Sequence, residues 1–112
     1  ELASELGNVV VITGKEDIIS DGKRTFLVAN GHEMMGKVVG TGCMSASTIA
    51  SFCAVEKDYA KAAASALAIF GVAGENAAKK ASEPMKYKNE LIDAISSLKS
   101  SDAGIRVSEW KC

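Results

Sequence analysis

The chain has 112 residues, a net charge of −1 from 13 basic and 14 acidic side chains, and 47% hydrophobic residues, which is enough for one modest core. No basic block offers a footprint for nucleic acid or an anionic membrane, no apolar run reaches the roughly 18 residues that span a bilayer, and the first residues, ELASELGNVV, lack the layout of a secretory leader. Three cysteines without C-x-x-C spacing and a single histidine, His32, argue against a disulfide framework or a zinc centre and for reduced thiols in a cytoplasmic protein.

In chain order, Asn8 to Thr13 (NVVVIT) is a β-branched run that predicts a strand covered on both faces, stopped by Gly14 and the charged loop Lys15-Glu16-Asp17. Ile18-Ile19 and Thr25 to Ala29 flank Asp21-Gly22, which predicts a hairpin because this pair readily takes positive φ. Asn30-Gly31 reads as a turn, and Val38-Val39 as a short extended lead into Gly40-Thr41-Gly42-Cys43. From Cys43 the small and apolar residues predict a helix ending near Glu56-Lys57, on which Cys43 and Cys53 stand roughly 280° apart and face no common partner. Asp58 is the expected N-cap of a second, alanine-rich helix. Gly71 and Gly74 inside it each cost ~1 kcal/mol relative to Ala, which close packing would offset. After Pro84, the span Lys88 to Lys99 carries Leu91, Ile92, Ile95 and Leu98 on one helical face, and Ile105 to Val107 reads as a last strand. With no repeat or linker in sight, residues 1–112 are expected to form a single domain or a part of one.

Two apparent phosphate motifs fail in context. Gly31 to Lys37 matches G-x-x-x-x-G-K, but Val38 stands where a hydroxyl should bind magnesium and a β-branched pair follows instead of a helix. Gly40 to Ser45 imitates a dinucleotide fingerprint, yet a second helix follows where a strand ending in an acidic residue is needed. The simpler possibility is that Gly40, Thr41 and Gly42 form a tight turn whose amides, with that of Cys43, surround an anion at a helix N-terminus. Glycine lets the backbone approach a phosphate with no Cβ in the way. Such a turn can steady charge on a transferred phosphoryl group, while the thiol beside it accepts the proton of an attacking hydroxyl. On these four residues alone, a plain helix start with Cys43 as a small buried hydrophobe fits better.

The order of VVVITGKEDIISDG, VANGHEMMGKVVGTGCM and FGVAGENA resembles the C-terminal part of the hydroxyethylthiazole kinases, members of the ribokinase-like superfamily. The resemblance implies an α/β fold, part of a ribokinase-like central sheet covered by helices with a C-terminal helical run. It implies phosphorylation of the hydroxyl of 4-methyl-5-(2-hydroxyethyl)thiazole in thiamine salvage, with ATP and Mg2+. It assigns Thr13, with Gly14, to ATP and Gly40 to the substrate, and puts Thr41, Gly42 and Cys43 in the catalytic anion hole. Cys43 stands where the superfamily's Gly-x-Gly-Asp turn carries its aspartate. Asp17, Asn30 and His32 are expected to be solvated loop residues without a role.

The family's subunits are more than twice as long, so the chain is expected to be a fragment. The thiazole pocket, an ATP-contacting arginine and the acidic magnesium ligands would lie elsewhere, with no metal ligand in this chain. A homotrimer with sites near subunit boundaries is likewise implied. Ser82-Glu83-Pro84-Met85 departs from the family's usual Gly-Pro-Gly-Ser-Phe type of turn. Two alternatives stay open: a kinase of the same fold for another small alcohol, such as a hydroxymethylpyrimidine or pyridoxal, or a non-catalytic phosphate-binding fragment.

Overall fold

In the computed structural model, which describes residues 1–98 and 105–110, the β-branched segments form a four-stranded sheet, the alanine-rich segment forms a helix packed against it, and two further long helices pack on that helix. Strands β1 (Val10–Ile12), β2 (Asp17–Ser20), β3 (Thr25–Val28) and β4 (Val107–Trp110) lie in the order β1-β2-β3-β4, antiparallel throughout. The hairpin between β2 and β3 turns at Asp21-Gly22 as expected: Gly22 takes φ 92, and Asp21 Oδ1 accepts the N–H groups of Lys23 (2.9 Å) and Arg24 (2.7 Å). The last strand begins two residues later than expected.

The first strand is not covered on both faces. Val9 and Val11 face the core with Ile19 and Val28, whereas Ile12, paired with Ile18 on the opposite face, is 60% exposed. A β-branched run reports strand propensity, but the core covers only one face of this sheet, and Ile12 and Ile18 (39% exposed) lie on the other.

A short helix, α1 (Leu2–Leu6), precedes the sheet, and a 3-10 helix (Glu33–Lys37) stands between the turn at Asn30-Gly31 and Val38. Then come α2 (Thr41–Val55), α3 (Tyr59–Ala78) and α4 (Pro84–Ser97). Helix α2 starts two residues before Cys43, and α4 four residues before Lys88, because Pro84 at its first turn has the φ and the missing N–H that a helix start accepts. The expected end of that helix at Lys99 lies outside the described residues. Leu91 is fully buried, and Ile95 and Leu98 pack against the core, but Ile92 faces outward.

Helix α3 is the centre of the packing. One side holds Ala60, Ala63, Ala64, Leu67 and Ala68 against Ile19 and Val28 of the sheet. Another holds Phe70, Ala73 and Ala77 against Met34, Val38, Tyr87 and Leu91. Its two glycines are explained within the chain: a Cβ at Gly71 would lie 2.6 Å from the Asn30 carbonyl carbon, and one at Gly74 would meet Met35 Sδ and, at 3.1 Å, Tyr87 Oη. That phenol donates to the Gly74 carbonyl (3.0 Å), and burial pushes its pKa up to about 12.

The hairpin tip is clamped to the start of α3. Asp58 caps the helix by accepting the Lys61 N–H (3.4 Å), and the Arg24 guanidinium joins Asp58 (2.7 and 3.0 Å) to Asp21 (2.9 and 3.1 Å). The Arg24 and Lys23 amides, and then the guanidinium, hold the Asp21 carboxyl down at about 2. No helix among the described residues is long and apolar enough to cross a membrane.

Gly71→Ala should lose about 2 kcal/mol in urea unfolding, since overpacking against backbone outweighs the ~1 kcal/mol gained in helix propensity. Gly74→Ala meets mainly the flexible Met35 thioether and should lose less than half as much; equal losses would mean that the Asn30 backbone yields as easily as that side chain. Because the folded Asp21 titrates below its ordinary 3.8, the stability it confers is complete above that value and is lost as pH falls toward 2. The gap in melting temperature between the protein and Asp21→Asn should therefore be open at pH 6 and close across that window.

Candidate functional site

The C-terminal end of β1, the loop after β3, the 3-10 helix, the start of α2 and the middle of α3 enclose a cleft of about 860 Å³. Thr13, Gly14, Lys15 and Asp17 line one side, Ala29 to Glu33 with Met35 and Gly36 another, and Thr41, Gly42 and Ser45 a third; Leu67, Phe70 and Gly71 form the apolar floor. The Thr13-Gly14 pair and the Thr41-Gly42 turn, 28 residues apart in sequence, are thus brought to one cavity.

Gly40 is the N-cap of α2 at φ 101, a conformation that requires glycine there whatever it contacts. The first helical bond runs from the Met44 N–H to the Gly40 carbonyl (3.0 Å), so the N–H groups of Thr41, Gly42 and Cys43 have no partner within the helix. No side chain caps this end. The Thr41 hydroxyl is engaged elsewhere, donating to the Met35 carbonyl (2.9 Å), and the Ser45 hydroxyl donates to the Gly42 carbonyl (2.8 Å). What Thr41 and Gly42 offer the cleft is their backbone, positive in sign at a helix start.

Cys43 and Gly40 do not line the cleft. Cys43 is exposed on the first turn of α2 and has a free thiol, as does Cys53, while Cys112 lies outside the described residues.

Three residues expected to be solvated loop positions take part in the cleft wall. Asn30 is only 6% exposed. His32 caps the 3-10 helix, its Nδ1 accepting the Met34 N–H (3.1 Å). Asp17 is half-buried, and burial pushes its pKa up, partly offset by the Gly14 N–H that it accepts (3.1 Å). That bond ties the loop after Thr13 to the start of β2.

Behind the wall stands Glu75 of α3, which the sequence did not single out. Its Oε1 accepts the Gly31 N–H (3.0 Å), Asn30 Nδ2 (3.4 Å) and the Arg106 guanidinium. Burial raises its pKa, but the Gly31 amide and Arg106 outweigh this and leave it below the ordinary carboxylate value. The Arg106 N–H in turn reaches Asn30 Oδ1 (2.6 Å). Glu75 and Arg106 are 31 residues apart with no shared motif, so no sequence signal pairs them.

Among the described residues no group of three or more His, Cys, Asp or Glu could hold a metal ion. The cleft is therefore a mixed cavity with an uncapped helix start, a threonine-glycine strand end and an apolar floor. It suits an anionic ligand with a flat or apolar part.

The family model for the hydroxyethylthiazole kinase family matches residues 1–101. Among curated relatives, a hydroxyethylthiazole kinase of Methanosarcina mazei is 56% identical over 98 residues, covering 88% of this chain and 38% of the relative. One of Methanosarcina acetivorans is 59% identical over 90 residues, covering 80% and 34%. The solved structure of a hydroxyethylthiazole kinase protein from Pyrococcus horikoshii superimposes with a TM-score of 0.93 at 40% identity, covering 97% of this chain and 43% of that one. The chain thus spans well under half the length of these proteins.

The Thr41 hydroxyl, which donates to the Met35 carbonyl (2.9 Å) and also lies 3.4 Å from the Val38 carbonyl, anchors the start of α2 in a way that can be tested. Thr41→Val removes the donor to the Met35 carbonyl and should cost about 1 kcal/mol in denaturant unfolding, while Thr41→Ser keeps the donor and should stay within about 0.5 kcal/mol of the parent.

Proposed function

Since the chain belongs to the hydroxyethylthiazole kinase family, we propose that it supplies the nucleotide cleft and phosphoryl-transfer turn of an enzyme that phosphorylates the hydroxyl of 4-methyl-5-(2-hydroxyethyl)thiazole with ATP. The observation that carries this is the meeting of the Thr13-Gly14 strand end with the uncapped Thr41-Gly42 helix start in one cleft. In the proposed reaction the nucleotide lies in the cleft, with its phosphates between Thr13 and the amides of Thr41 and Gly42. The alcohol oxygen attacks the γ-phosphorus, the bond to the β-phosphate oxygen breaks, and ADP leaves. The unpaired amides stabilise the charge spread over the transferred group.

Attacking and leaving oxygens must be nearly in line, on opposite sides of the phosphorus. A nucleotide in the cleft thus requires the alcohol to approach from outside it, and Cys43 is exposed just beyond the cleft lining. There its side chain orients the hydroxyl or, as the thiolate, accepts its proton and becomes the neutral thiol, with Gly40 beside it next to the substrate. Magnesium would arrive with the nucleotide. The described residues hold no cluster for it, and no step here passes through it. A homotrimer, the use of ATP and reduced thiols in the cytoplasm belong to the same proposal.

The test is single-turnover kinetics on the full-length protein with Cys43 replaced by Ala, Ser and Asp. Cys43→Ala should slow the chemical step by about 10² or more with the KM for ATP unchanged, and Cys43→Asp should keep most of the rate. If all three variants retain the parent rate, Cys43 has no part in the chemistry. A panel of acceptors separates the thiazole alcohol from hydroxymethylpyrimidine and pyridoxal.

A further inference from the structure

The wall of the cleft formed by Ala29, Asn30 and Gly31 is held from behind by one carboxylate. Glu75 itself does not line the cleft. Its Oε1 gathers the Gly31 N–H at 3.0 Å, Asn30 Nδ2 at 3.4 Å and the Arg106 guanidinium. Arg106 closes the network from the other side: its guanidinium donates to the Ala29 carbonyl (3.0 Å), its N–H to Asn30 Oδ1 (2.6 Å), and its carbonyl accepts the Ala29 N–H (3.0 Å). Gly31 lies at φ 133, one of several conformations open to glycine, and the Glu75 bond to its amide fixes the chain in this one. The close approach of Asn30 to Gly71 seats the same three residues on α3.

Resting on the kinase assignment above for the identity of its ligand, we propose that Glu75, tied to Arg106, is a positioning residue for the nucleotide. It fixes the Ala29–Gly31 backbone as the wall against which the nucleotide seats, without touching either reactant. A structural anchor of the whole fold would affect every property alike. A positioning residue of one wall acts on the ligand that meets the wall.

The experiment uses the full-length protein with Glu75→Ala and Glu75→Gln. For each, the affinity for a non-hydrolysable ATP analogue is measured by titration calorimetry without acceptor, alongside steady-state kinetics. Glu75→Ala should weaken analogue binding and raise the KM for ATP about tenfold, while the KM for the alcohol and kcat stay within about twofold, because the lost bonds include ones to a charged acceptor. Glu75→Gln keeps an acceptor oxygen for the Gly31 N–H and should recover most of this, leaving a rise of about threefold. Unchanged analogue affinity in a folded Glu75→Ala protein overturns the proposal, as does a fall in kcat that only follows the folded fraction. Should Glu75→Ala fail to fold, Glu75→Gln decides alone: a threefold weakening supports the role and parental affinity refutes it. Because analogue binding is read without the alcohol, a protein that binds nucleotide but does not phosphorylate the thiazole alcohol would refute the kinase assignment while leaving the Glu75 result to stand or fall by itself.

Discussion

The missing Cβ at Gly71 is the constraint on which the shape of the cleft depends. It lets the Asn30 backbone rest against α3, closer than any side chain would allow. From that seat the chain continues into the 3-10 helix, where Met35 reaches into the space left by Gly74, and the Met35 carbonyl takes the Thr41 hydroxyl. Two glycines on one helix thus set, through Asn30 and Met35, where the next helix begins. The helix-propensity cost of glycine in α3 is offset by a contact that propensity scales do not contain.

The starts of α2 and α3 are finished in opposite ways. Helix α3 begins under a carboxylate: Asp58 accepts the Lys61 N–H, and Arg24 holds that carboxylate in place. Helix α2 begins at a glycine with no side chain to accept its free amides. A side-chain cap of the Asp58 kind is closed to residue 40, because a φ of 101 strains any residue but glycine, and so no side-chain oxygen sits on these amides. The positive φ of Gly40 and the Thr41 bond to Met35 secure this helix start by other means, leaving its amides open. The side-chain cap present at the start of α3 is thus absent at the start of α2, and in the proposed reaction its open amides meet the transferred phosphoryl group.

How much of this was legible in the sequence depends on the range of each interaction. The Asp-Gly hairpin, the Asp58 cap and the extents of α2 and α3 rest on residues a few positions apart, and local patterns carry them. The joining of Thr13-Gly14 to Thr41-Gly42 in one cleft came within reach only because the order of several segments resembled a known family. The burial of Asn30 was missed because asparagine beside glycine reads as a solvated turn, and only the bare surface of α3 at Gly71 draws it inside. The Glu75–Arg106 pair spans 31 residues and follows no period, so it becomes visible only once β4 lies beside β3. The exposure of Ile12 follows from the sheet face it shares with Ile18, which the core does not cover and which composition does not encode.

Successive residues of a helix point about 100° apart, so Gly42 and the Cys43 side chain look in different directions from the same turn. This matches their placement, Gly42 lining the cleft and Cys43 exposed outside it. In the proposed reaction the turn then stands between donor and acceptor, offering amides to the transferred group from its backbone and a thiol to the incoming alcohol from its side chain. A thiol is a weaker hydrogen-bond acceptor than a carboxylate. Phosphoryl transfer through a loose transition state asks more for alignment and charge stabilisation than for early removal of the nucleophile's proton. A cysteine in place of aspartate is therefore compatible with a site whose rate comes chiefly from where the hydroxyl is held.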